Sequence, residues 1–229
     1  MLARATIAMI AWVASVHAAS AQYATSHPRY PTCPLPTSSM PTSPPEMQIR
    51  LETSSGGRVL VLQGGVVAGN ARQISSAISQ YSPIDEIWVH SNGGDAEEGN
   101  RIAQVIRASG IPTRIPNGWW CISACNFVFF GGVIRYIDPA GVIAVHMATV
   151  VNHQDPNQFE GLVDQYGANN IVMEVEKSMA LLTAFDIQVI IAMGISRDLL
   201  TEVMYQQSNS GLRCLRRDEM RRYNVTNVG

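Results

Sequence analysis

An α/β fold is predicted for the body of the chain, because from residue 47 onward strand-length apolar runs alternate with helical patterns of about ten to fifteen residues. Such alternation implies crossover connections and a mostly parallel sheet. A second observation is a glycine-rich corner, Ser54-Ser55-Gly56-Gly57, between two alternating apolar runs; it predicts an opening pair of strands over 48–52 and 58–63. The third is the helical period of the C-terminal third. Taken in order, 69–81 reads as a helix and 86–90 (EIWVH) as a buried strand. Residues 96–109 carry Ile102, Ala103, Val105 and Ile106 at helical spacing and stop at Gly110, a residue suited to a left-handed C-cap. A strand over 113–115, a buried helix over 126–130 and strands over 133–137 and 142–146 follow. The stretch 158–193 reads as one long amphipathic helix. Ser196 caps a helix running through Met204, and 216–222 forms a last short one.

With 229 residues, 46% of them hydrophobic and 15% charged, the chain has enough apolar material for a sizeable core and is not globally disordered. A net charge of −2 argues against a protein that coats polyanions, so nucleic acid is not an expected partner. Residues 1–21 read as a secretory signal peptide. Arg4 precedes an apolar run over 5–16 too short to span a bilayer, and Ala19-Ser20-Ala21 supplies an A-x-A cleavage site, with cleavage expected after Ala21. No later stretch reaches transmembrane length without a charge or a breaker, so no stable membrane span is expected. The mature protein is expected in the periplasm or outside the cell. Residues 22–46, rich in Pro, Ser and Thr, favour extended polyproline conformations and read as a flexible or semi-rigid tether, which leaves 47–229 as the folded domain. In an oxidising compartment Cys33, Cys121, Cys125 and Cys214 are expected to form one or two disulfides, with all three connectivities open. A C-x3-C spacing without a second ligand pair is a weak zinc signature; no metal or other cofactor is expected.

Three short segments at predicted strand ends carry candidate chemistry. Ser91-Asn92-Gly93-Gly94 follows the strand EIWVH, and its paired glycines can turn a bare N–H outward toward an anion or a developing oxyanion. Most Gly-Gly pairs serve only as turns. Cys121-Ile122-Ser123-Ala124-Cys125 stands at a loop-to-helix junction, where a serine usually serves as an N-cap but can also be a nucleophile. His146 interrupts the apolar strand GVIAVHM; a buried histidine is more often satisfied by a backbone partner than catalytic.

The order of these segments resembles the Clp protease and crotonase superfamily, and more closely a branch of exported proteins similar to the Clp proteolytic subunit. The resemblance spans roughly residues 58–225. Ser91-Asn92-Gly93-Gly94 stands where that family has S-P-G-G, Ser123-Ala124 where it has its nucleophile with Gly131-Gly132 beyond, and GVIAVHM where it has the strand bearing its histidine. LRRDEMRRYNV (215–225) is similar to the family's closing helix. The resemblance implies a fold of repeated ββα units with a helical C-terminal third. It also implies serine peptidase chemistry: Ser123 attacks, His146 serves as base and then acid, and the N–H groups of Gly94 and Ala124, in the turn set by Gly93, hold the oxyanion. Relatives form rings through a helical handle whose place is held by 158–193, which implies a homo-oligomer.

Two departures matter. Asn92 replaces the family's proline. Where the family has its triad Asp, this chain has Ser208-Asn209-Ser210, and Asn209 can orient the imidazole without matching a carboxylate's charge. Asp155, Asp164 and Asp186 are other candidates for the third group, and Lys177 raises a Ser-Lys dyad. The expected function is an exported serine hydrolase, a peptidase acting on peptides or unfolded protein. The alternative is a catalytically weak or inactive module of the same fold that binds peptides or proteins. Crotonase-type chemistry on acyl-CoA is disfavoured by export, which separates the chain from the coenzyme A pool.

Overall fold

A computed structural model describes residues 32–34, 43–54, 57–149, 157–207 and 211–228; the predicted signal peptide lies outside the described residues. Among the described residues, two sheets and six α-helices build the body. Strands β1 (Gln48–Ser54) and β2 (Gly57–Gln63) form an antiparallel hairpin paired from Gln48↔Gln63 to Ser54↔Gly57. Parallel strands β3 (Glu86–His90), β4 (Thr113–Ile115) and β6 (Arg135–Ile137) extend it in the order β1-β2-β3-β4-β6. A smaller sheet, β5-β7-β8, pairs β5 (Trp120–Ile122) parallel and β8 (Arg213–Cys214) antiparallel to β7 (Val142–Val145). The expected α/β class is observed, with the parallel pairs shared between two sheets instead of one.

Strands β2, β3 and β7 are buried because their residues are apolar on both faces, the pattern a parallel sheet covered by helices requires. The helices that cover them are α1 (Asn70–Tyr81), α2 (Ala96–Ser109) and the short α3 (Cys125–Phe130). Helix α2 has complete end chemistry. Asp95 accepts from the Glu98 N–H at 2.9 Å, Glu97 and Glu98 occupy the positive first turn, and Gly110 closes the helix at φ 71°. The buried Glu98 carboxylate also accepts the Ala71 N–H at 2.7 Å, which ties the start of α1 to α2.

The long helix expected over 158–193 is two helices, α4 (Asn157–Tyr166) and α5 (Ala168–Ala192), because Gly167 takes φ 81°, which no α-helix accommodates. Beyond α5 the chain makes a π-helical turn, Leu199–Met204, then β8 and α6 (Arg217–Arg222). This tail is tied into the core by Arg135, whose side chain is buried. It donates to the carbonyls of Asn224 (2.8 Å), Val225 (2.9 Å), Gly132 (3.0 Å) and Met193 (3.2 Å). Burial, with the nearby Arg107 cation, lowers the Arg135 pKa to about 10, so it stays charged at neutral pH.

All four cysteines pair, Cys33 with Cys214 and Cys121 with Cys125. Within the stretch read as a tether, Cys33 is therefore buried against the small sheet beside Val142 and Ala144, and Thr32 Oγ1 accepts the Cys214 N–H at 3.0 Å. The two disulfides bridge residues 181 and 4 apart in sequence. In the chain-entropy account their stabilisations differ accordingly, about 5 kcal/mol for the long loop and about 2 kcal/mol for the short one. Unfolding of Cys33→Ala/Cys214→Ala and Cys121→Ala/Cys125→Ala in denaturant, without reductant, should show the larger loss for the first pair.

Candidate active site

The loop after β3 and the loop after β5 meet where the two sheets touch. Ser91 and Cys121 form a parallel bridge, with the Ser91 N–H donating to Trp120 O (3.1 Å) and the Ile122 N–H to Ser91 O (3.0 Å). The seam brings SNGG against CISAC. Gly93, at φ 95°, lies so close that a Cβ there would sit 2.6 Å from the Ser123 Cβ, 2.7 Å from Ile122 O and 3.0 Å from the Ala124 nitrogen. Only glycine fits. Its N–H donates to Ser91 Oγ at 3.0 Å and its carbonyl accepts from Val66 at 2.8 Å, so Gly93 shapes the turn and its own N–H is not turned toward a ligand.

Ser123 is half-buried and takes φ 58°, a left-handed conformation unusual for a residue with a side chain. The neighbouring backbone is fixed: Ser123 N–H donates to Ala144 O at 3.1 Å, and Ser123 O accepts from the Asn126 N–H at 2.9 Å. The Asn126 side chain also donates to Ala144 O at 2.9 Å, joining the start of α3 to β7. Ser123, Gly94 and His146 line one cleft of about 500 Å³. Asn92, Asp95 and Glu97 form one rim, and Ser178, Met179 and Leu182 of α5 form the facing wall. The loop and cap hydrogen bonds of the described residues use neither the Gly94 nor the Ala124 backbone N–H.

His146 follows the last residue of β7, and its Nδ1 lies 2.9 Å from Met147 O. A carbonyl only accepts, so in the neutral ring Nδ1 carries the proton and Nε2 presents its lone pair, the form a general base needs. The Met147 carbonyl contributes to orienting the ring. Of the candidates for a third group, Asn209 and Asp155 lie outside the described residues. Asp164 is exposed on α4. Lys177 is exposed and pairs with Glu174 at 3.5 Å, as a surface residue of a long helix does. Asp186 is buried between α5, α2 and the π-helical turn, where Asn100 donates to it at 2.7 Å and the Tyr205 hydroxyl at 3.2 Å.

Sequence reasoning missed two features of the site, the α5 wall and the strand β5, whereas the Cys121–Cys125 pairing is one of the connectivities it left open. The spacing of Ser178 and Leu182, four residues apart on one helix, was the available signal for the wall. C-x3-C spans one helical turn or one tight loop, which leaves its pairing undetermined.

No protein-family model matches the chain, and no curated protein sequence matches it. Among solved structures, an asparagine-to-aspartate mutant of ClpP1 from Listeria monocytogenes aligns with it at 16% identity, covering 74% of this chain and 88% of that one, with a TM-score of 0.47.

Two outcomes test this geometry. Burial raises the Asp186 pKa to about 6, the hydrogen bonds from Asn100 and Tyr205 acting in the opposite sense. The folded state thus holds this proton more tightly than the unfolded chain, so the contribution to stability is full below about pH 4 and is lost as pH rises through about 6. Asp186→Asn should melt above the wild type at pH 7, by up to about 3 kcal/mol, and the two should converge near pH 4 in thermal melts. Gly93→Ala should displace Ser123 and lower its reaction with an active-site serine probe by about 10²-fold or more.

Proposed function

We propose that this chain is an exported serine hydrolase of the Clp and crotonase kind, a peptidase acting on peptides or unfolded chains. The observation that carries the reading is Ser123, held left-handed at a strand-to-helix turn, sharing one cleft with His146 and Gly94. In this reading Ser123 Oγ attacks the scissile carbonyl while His146 Nε2 removes its proton. The Met147 carbonyl holds the imidazolium that results. The N–H groups of Gly94 and Ala124 receive the oxyanion, and His146 returns the proton to the leaving amine before water releases the acyl group. Asn209 is proposed as a further partner of the ring.

The signal sequence over 1–21 supports export, and two disulfides suit an oxidising compartment. Among the described residues no helix is long and apolar enough to cross a membrane. Val172, Met173, Leu181 and Ile191 of α5 are exposed apolar side chains, and they support self-association along that helix. Ser208-Asn209-Ser210 offers no carboxylate where the similar family has its triad Asp, which favours a second reading in which the cleft binds chains and turns them over slowly or not at all.

Fluorophosphonate labelling of the oxidised protein separates the two. The wild type should label, Ser123→Ala should not, and His146→Ala should label about 10²–10⁴-fold more slowly. A folded, oxidised wild type that never labels overturns the hydrolase reading in favour of the binding module.

A further inference from the structure

The cysteine pair on either side of the nucleophile has a placement that stability alone does not explain. Cys121 is the middle residue of β5 and Cys125 the first residue of α3; both are fully buried, and Ser123 is the central residue of the loop their bond closes. Cys121 is held on one side by its pairing with Ile143 of β7 and on the other by the bridge to Ser91. Cys125 is held by the helix it begins. Between these two fixed points the chain passes through φ 58° at a residue with a side chain, a conformation an L-residue leaves when it is free to. Relaxing Ser123 to a right-handed or extended backbone would redirect the peptide that leads into α3 and carry Cys125 away from Cys121. A bond that fixes their Cα atoms 5.2 Å apart opposes that movement.

We infer that the Cys121–Cys125 disulfide is a positioning element for Ser123, holding the nucleophile in the left-handed conformation that presents it to the cleft. The inference rests on the serine-hydrolase reading. It predicts a reversal between two properties. The Cys33–Cys214 bond closes the longer loop and contributes more to stability, whereas the Cys121–Cys125 bond governs reactivity. Nothing about overall folding requires the two rankings to be opposite.

The test uses the purified, oxidised full-length mature protein in three forms, wild type, Cys121→Ala/Cys125→Ala and Cys33→Ala/Cys214→Ala, each assayed well below its melting temperature. Fluorophosphonate labelling is followed for stoichiometry, for reversible affinity and for the rate constant of the bond-forming step. Cys121→Ala/Cys125→Ala should label to full stoichiometry with unchanged reversible affinity and a bond-forming step about 5–30-fold slower, the weight against left-handed backbone in an L-residue. Cys33→Ala/Cys214→Ala should keep the wild-type rate. The strong intraresidue HN–Hα nuclear Overhauser effect of a positive-φ residue should be present at Ser123 in wild type and weakened in Cys121→Ala/Cys125→Ala.

Where the alanine pair does not fold, the same comparison is made in Cys33→Ala/Cys214→Ala before and after treatment with a water-soluble phosphine. The phosphine takes oxygen from water while each sulfur of the remaining disulfide gains one hydrogen, which mass spectrometry verifies. A wild type that labels, together with an opened Cys121–Cys125 loop that labels at the same rate, overturns this inference and leaves the hydrolase reading standing. Loss of stoichiometry alone, with the surviving molecules reacting at the wild-type rate, also overturns it. A wild type that never labels overturns the hydrolase reading itself, and the inference with it.

Discussion

The bridge between Ser91 and Cys121 is the constraint on which the rest of the site depends. Two sheets that share no strand are joined there by two backbone hydrogen bonds, and the chain on either side turns out of its sheet within three residues. Because the bridge is parallel, both chains leave it in the same direction, so the glycine pair and the serine emerge side by side. Gly93 has to be glycine because Ser123 occupies the volume its Cβ would need. The strand-end location follows a general rule of open α/β sheets, in which the loops beyond the carboxyl ends of strands are free to carry chemistry because the sheet spends its own polar groups on pairing.

The same seam divides what the sequence reveals from what it conceals. Strand β3 and helix α2 are legible to the residue because each carries its own punctuation: an unbroken apolar run for one, an Asp95 cap and a Gly110 stop for the other. Strands β5 and β8 are three and two residues long, too short to show any alternation, and they exist only because β7 lies between them. The break at Gly167 was hidden by helical apolar spacing that continues on both sides of it. At the site, Ser123, Gly94 and His146 could be proposed from motif order, but the left-handed backbone of Ser123 could not, since serine has no intrinsic preference for it. Nor could the contact of His146 Nδ1 with the Met147 carbonyl, because a carbonyl leaves no mark in a sequence.

Electrostatics around the cleft are modest. One rim carries Asp95 and Glu97, but Asp95 is committed to capping α2 and Glu97 to an ion pair with Arg101. The facing wall is mixed, with Met179 and Leu182 beside Ser178. Charge is thus largely spent within the scaffold, and the cleft wall offers mainly apolar and neutral polar groups. The buried carboxyl of Asp186 lies deeper, on the same helix as the wall, and shows that the scaffold behind the site tolerates a costly polar group where Asn100 and Tyr205 can satisfy it.

The Arg135 clamp has a consequence for how the chain must mature. Its guanidinium is buried and draws two of its four carbonyl partners from Asn224 and Val225, some ninety residues downstream. A nascent chain that has exposed everything up to α5 still lacks those partners, and collapse at that stage would leave a desolvated cation only partly satisfied, a penalty of several kcal/mol. The core is thus discouraged from closing before its final turn arrives. The final turn thus acts as a late-arriving keystone, and folding of the domain is complete only once that turn is in place.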